Sequence, residues 1–158
     1  MSLLLTLFLM FSHGLIDNNQ DQPSVRIFVV RQQKFKNRGH YPWHNRRVIF
    51  KMVNESNKPV IVYGFQGQGE FDPIGYIIRL DESTGKWVYP NPDNAPMPWS
   101  ARSDLDKHKY ILPPGKFITF EAEMSRAEVS MHFKMTAYVS FKENEEPIEI
   151  RGEEFVLK

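Results

Sequence analysis

Between residues 131 and 141 apolar and polar side chains alternate without a break. Met131, Phe133, Met135, Ala137, Val139 and Phe141 would share one face of an extended segment, and His132, Lys134, Thr136, Tyr138 and Ser140 the other. Successive strand residues point to opposite faces, so a period of two predicts a strand with one face on a core and the other toward solvent. Residues 117–124 repeat the pattern, with Ile118, Phe120, Ala122 and Met124 set against Thr119, Glu121 and Glu123. Further runs rich in Val, Ile, Phe and Tyr occupy 25–31, 47–53, 59–65, 74–80, 86–89 and 148–157, with turn residues between them. Residues 54–59 and 81–85 read as turns, and Pro113-Pro114-Gly115 opens the strand at 117. One segment supports two patterns. Phe120, Met124, Ala127 and Met131 also fall at helical spacing, which predicts a short helix over 124–129. Seven to eight short strands with at most that one helix describe an all-β chain, folded as an antiparallel β-sandwich.

A chain of 158 residues suffices for one such domain. With 13% aromatic residues and a formal net charge of +1 it has the means to bury a core, which excludes a disordered chain. No cysteine is present, which excludes disulfide staples, thiol catalysis and cysteine-ligated zinc.

Residues 3–11 (LLLTLFLMF) form an apolar run, and no charge precedes Asp17. As a helix the run would be about 14 Å long, well short of the ~30 Å hydrocarbon core, so stable membrane insertion is not expected. It fits the apolar region of a secretory signal, with Ser12-His13-Gly14 placing small residues at the cleavage site. The division is therefore a signal peptide over 1–14 and a single domain over 15–158, secreted or periplasmic.

Charge is unevenly spread. Arg26, Arg31, Lys34, Lys36, Arg38, Arg46, Arg47 and Lys51 occur between residues 22 and 54 with no acid among them, whereas residues 143–154 hold six Glu and one Arg. A basic face for an anionic surface is one reading. The other, which we favour, is that first and last strands are neighbours and their charges compensate. Nucleic acid is not expected as a partner, given the signal and a pI near 8.0.

The order of turns carries a resemblance. Val53-Asn54-Glu55-Ser56-Asn57-Lys58-Pro59-Val60 ends one strand, a hairpin follows at 81–85, and Leu112-Pro113-Pro114-Gly115-Lys116-Phe117-Ile118-Thr119-Phe120 enters a long alternating strand. This resembles the immunoglobulin-like sandwiches of bacterial exported proteins, and more narrowly the domain named after the bacterial intracellular proteinase inhibitor. The resemblance covers roughly residues 47–157 and implies an immunoglobulin-like β-sandwich. It carries no functional residue to this chain.

Motifs for hydrolytic, phosphate-binding or calcium chemistry are absent from the sequence. His40 and His44 lack a third ligand in sequence, and Pro42 forbids the helix that would align them, so no metal or other cofactor is expected. Asn54-Glu55-Ser56 matches a glycosylation acceptor. The aromatics are more informative. Tyr41, Trp43, Trp87, Tyr89 and Trp99 fall in or beside loops, and residues 90–99 hold four prolines. An extended proline-rich loop bearing exposed rings suits sugar rings or partner side chains, though such rings also staple loops onto a sandwich. The expected site is therefore a binding one formed by Trp43, Trp87, Tyr89 and Trp99, in a non-catalytic module that contacts a protein or a glycan. A protease-inhibitor-like module presenting the proline-rich loop and a small hydrolase using loop carboxylates are the alternatives.

Overall fold

Ten strands make up the secondary structure of the computed structural model, which describes residues 24–35, 44–66, 71–89 and 108–158. They are β1 (Val25–Lys34), β2 (His44–Asn54), β3 (Val60–Gln66), β4 (Phe71–Pro73), β5 (Ile77–Asp81), β6 (Lys86–Val88), β7 (Lys109–Leu112), β8 (Phe117–Ser125), β9 (His132–Ser140) and β10 (Ile148–Val156). The protein is an antiparallel β-sandwich. The helix expected over 124–129 is a single 3-10 turn, Arg126–Glu128, because β8 runs on to Ser125 and β9 begins at His132, which leaves too short a connection for a longer helix. Ser125 N–H donates to Glu128 Oε2 and closes that turn. The strands beyond the expected seven to eight are β4 and β7, three and four residues long.

The smaller sheet has the order β1-β2-β8. In the larger, β4-β3-β9-β5-β6 form a path, with β10 on β9 and β7 on β3. The alternation sets which side faces inward. Val48, Phe50 and Met52 of β2 and Phe120 and Met124 of β8 meet Phe133, Met135, Ala137 and Val139 of β9 in one core. Phe50 stacks on Phe120 at 5.5 Å and meets Phe155 edge-on at 5.4 Å, and Phe155 reaches Phe133 at 5.8 Å. That chain of rings bridges the two sheets.

One edge of the sandwich is closed by β1 lying alongside β10. Arg26 pairs with Glu153 and with Glu55, Gln32 Nε2 donates to the Val156 carbonyl, and Lys158 N–H donates to Gln32 Oε1. First and last strands are therefore neighbours, and part of the basic and acidic sets compensate there. Gly152 sits at the β10 irregularity because a Cβ at this position would lie 2.8 Å from the Ile27 carbonyl oxygen.

Two of the turn signals meet at Asn54, which is fully buried. Its amide donates to the carbonyls of Lys58 and Leu112, at 2.7 and 2.9 Å, and its Oδ1 accepts from Ser56 N–H and Ser56 Oγ. Its backbone bonds Lys116 O and Gly115 N. Every polar group of Asn54 is spent inside the fold, so the folded chain offers no glycosylation acceptor at this triplet.

On β9 the expectation needs correction. Its apolar face is the inner one, as read from the alternation. The other face is not simply solvated: Thr136, Tyr138 and Ser140 are buried as deeply as their inward neighbours. Lys134 and His132 remain partly exposed, and His132 Nδ1 pairs with Glu154 Oε1.

Candidate functional site

The cover on that outer face comes from the segment joining β4 to β5. Strands β3 and β9 pair only at Ile61↔Ser140 and Val62↔Val139, and beyond that point β3 takes β4 as its partner. Residues 74–76 then run between the two strands. Ile74 N–H donates to the Tyr63 carbonyl, Thr136 N–H to the Tyr76 carbonyl, Tyr138 N–H to the Ile74 carbonyl, and Tyr76 N–H to Thr136 Oγ1. Gly75 is required here, since a Cβ would come 1.9 Å from the Thr136 carbonyl oxygen. Only a glycine lets the backbone press this closely onto β9.

This wedge builds a second small core, separate from the first. Tyr63, Ile74 and Tyr138 are buried in it, and Ile61 and Tyr76 pack against it half-buried. Tyr63 and Ser140 share a hydrogen bond between their hydroxyls at 3.2 Å, and Lys109 Nζ lies 5.7 Å from the Tyr63 ring centre.

Two of the expected site residues, Trp87 and Tyr89, are among the described residues. Trp87 on β6 is opposite Leu80 in register and half-exposed, and Lys134 Nζ stands 4.5 Å above its ring. Tyr89, just past β6, donates its hydroxyl proton to Glu149 Oε2 on β10 at 2.7 Å, and its ring meets Tyr76 edge-on at 5.9 Å. Burial, the Glu149 hydrogen bond and the Glu149 charge together push the Tyr89 phenol well above its ordinary range, so it stays a donor at neutral pH. Arg151 Nε donates to Glu149 Oε1 at 3.3 Å and helps hold that side chain in place.

Trp43 and Trp99 lie outside the described residues, as do Tyr41, His40, the proline-rich stretch 90–99 and the signal region 1–14. Sequence reading missed Tyr63, Tyr76 and Tyr138. The available signal was the tyrosine among polar residues on β9, read as a solvent-facing position. Among the described residues no three His, Asp or Glu side chains gather closely enough to hold a metal ion, and no helix is long and apolar enough to cross a membrane.

No family model matches the chain, and no curated protein does. Two of the solved structures that align with most of the chain are distant from it. One is a crystal structure of a Bordetella pertussis protein provisionally assigned as ApaA, at 12% identity and a TM-score of 0.44, over 87% of this chain and 94% of that one. The other is a structural-genomics target at 13% identity and a TM-score of 0.37, over 88% and 86%. Neither likeness is close enough to transfer a fold or a role.

Proposed function

We propose that this protein is an exported, non-catalytic binding module whose contact surface is the tyrosine-rich outer face of the larger sheet. The layout of that face carries the reading. Tyr76 packs half-buried against the buried Tyr63, Ile74 and Tyr138, Tyr89 meets Tyr76 edge-on, and Trp87 stands half-buried beneath Lys134 of β9. Rings held by packing and by charged partners lose little freedom when a ligand covers them. Glu149, Arg151 and Lys134 border the rings and supply hydrogen-bonding groups beside the apolar faces. That combination suits a sugar ring, which is apolar on its C–H face and hydroxylated at its rim. A protein partner is the other occupant, since Trp and Tyr dominate protein contacts. Export rests on the apolar run at 3–11 and the small residues that follow it.

A glycan array probed with the full chain tests the reading. We expect binding to a defined saccharide class, lost in Trp87→Ala and Tyr89→Ala variants that keep their melting temperature within roughly 5 °C, the shift of about 1 kcal/mol. Saccharide binding that survives both substitutions would place the contact elsewhere and overturn the assignment of this face.

A further inference from the structure

The outer face of the smaller sheet lies on the opposite side of the molecule from the tyrosines. Among the described residues the strands form only two layers, so no strand covers it. Val48, Phe50 and Met52 point into the core. Arg47, Ile49, Lys51 and Val53 therefore point outward, and so do their partners on the flanking strands. Register sorts these residues into rows across β1, β2 and β8. One row reads Arg31–Ile49–Glu121 and the next Gln33–Arg47–Glu123. Toward the other end come Phe28–Lys51–Thr119 and Arg26–Val53–Phe117. The face is basic along β1, mixed along β2 and acidic along β8. Apolar groups stand open on it, Phe117 at 53% exposure and Val30, at the β1 irregularity, at 49%.

The charges do not cancel within one copy. Arg31 is exposed and joins none of the ion pairs among the described residues. Arg47 serves both Glu121 and Glu123, at 3.4 and 3.5 Å, so a unit of negative charge is left over on β8. Arg31 and Glu121 share a row but stand two strand spacings apart, roughly 10 Å, with Ile49 between them. The two halves of an ion pair thus occupy opposite borders of one face.

We infer that this face is the contact surface of a homodimer, packed against a second copy of the chain about a two-fold axis parallel to the strands. That operation lays β1 of one copy over β8 of the other, and β2 over β2. Arg31 then meets the partner's Glu121, Gln33 meets the partner's Glu123, and Ile49 and Val53 each meet their own counterparts. Arg47 and Lys51 also lie on β2, near the axis. Arg47 is compensated by its two carboxylates, and Lys51 Nζ is drawn to 3.8 Å from the Phe117 ring centre, toward β8 and off the axis. Sheets stacked face to face keep their strand directions within about 30°, so the rows stay matched close to the axis. Three strands of nine residues offer roughly 400 Å² of face per copy, the size of a weak and reversible contact. The tyrosine face stays open in both copies.

Sedimentation equilibrium of the full chain tests this. We expect a monomer–dimer equilibrium with a Kd on the order of 10–100 µM, at the weak end for specific contacts. Arg31→Glu and, separately, Glu121→Arg should each weaken association on the order of tenfold, since each sets like charges opposite one another at both symmetry-related contacts. An equimolar mixture of the two variants should regain the wild-type affinity, because each then meets the charge that it lacks. Melting curves check that the variants fold. Arg31→Glu, which breaks no ion pair within the chain, carries the test alone should Glu121→Arg unfold beside Arg47. A monomer at every concentration up to roughly 1 mM, ten times the weakest expected Kd, would overturn the dimer. So would association untouched by Arg31→Glu, or two folded variants whose mixture stays dissociated.

Discussion

Asn54 holds two turns with one side chain. Its amide reaches the carbonyl of Leu112 in β7 and that of Lys58 in the β2–β3 turn, while Ser56 closes on its Oδ1. Removing it strands the buried Leu112 carbonyl and frees the turn. Asn54→Ala should cost about 2–4 kcal/mol, the loss of several buried hydrogen bonds, measurable by chemical denaturation. Ser56→Ala should cost less, because Asn54 keeps both of its donors in use. This residue shows how far the sequence could be read. The turns at 54–59 and 113–115 were legible from Asn, Ser, Pro and Gly as turn formers, but nothing in their chemistry says that they touch. Contact across 58 residues is set by the register of β3 on β7, and β7 is a four-residue strand with too few positions to show a period.

At the scale of the element, β9 is the informative case. Period-two alternation correctly assigned Phe133, Met135, Ala137 and Val139 to the core. It could not say what lies on the opposite face, because alternation fixes where a side chain points and not what comes to rest on it. The wedge at 74–76 covers only the second half of the strand, which divides the outer positions into two kinds. Ser140→Asp should therefore unfold the domain as Val139→Asp does, by placing a carboxylate in a buried site beside Tyr63. Lys134→Asp should be tolerated and remove only the cation above Trp87. Melting curves of the three variants check this, and stability of Ser140→Asp would mean that the outer cover is loose. The same division explains the partial legibility of the candidate site. Trp87 and Tyr89 stood out beside a loop, whereas Tyr63, Tyr76 and Tyr138 belong to a surface that exists only once β3 and β9 diverge.

At the scale of the whole molecule the two edges of the sandwich are unlike in charge. The β1–β10 edge joins opposite charges through Arg26, Glu153 and Glu55. The other edge brings β4 beside β8 and sets Asp72 near Glu121, so that partial burial first and the Glu121 charge second push the Asp72 carboxyl above its ordinary value. Arg47 offsets part of this. Its Nε stands 3.4 Å from Glu121 Oε1 but without hydrogen-bond alignment, an ion pair only. The folded state thus holds the Asp72 proton more tightly than the unfolded chain. Its contribution to stability is full below the ordinary carboxylate range and is lost as pH rises through the folded-state value. Asp72→Asn should raise the melting temperature at pH 7 and leave it unchanged at pH 3, and an equal effect at both pH values would assign the gain to something other than charge.

The seam between β1 and β10 also imposes an order in time. A ribosome adds roughly 5–20 residues per second and releases β1 first. Until β10 emerges, Ile27 has no Gly152 to pack against, and Phe50 lacks the Phe155 ring that ties it to the larger sheet. The nascent chain therefore carries its half-built apolar face uncovered through most of its synthesis, and the sandwich can close only after translation has passed Phe155.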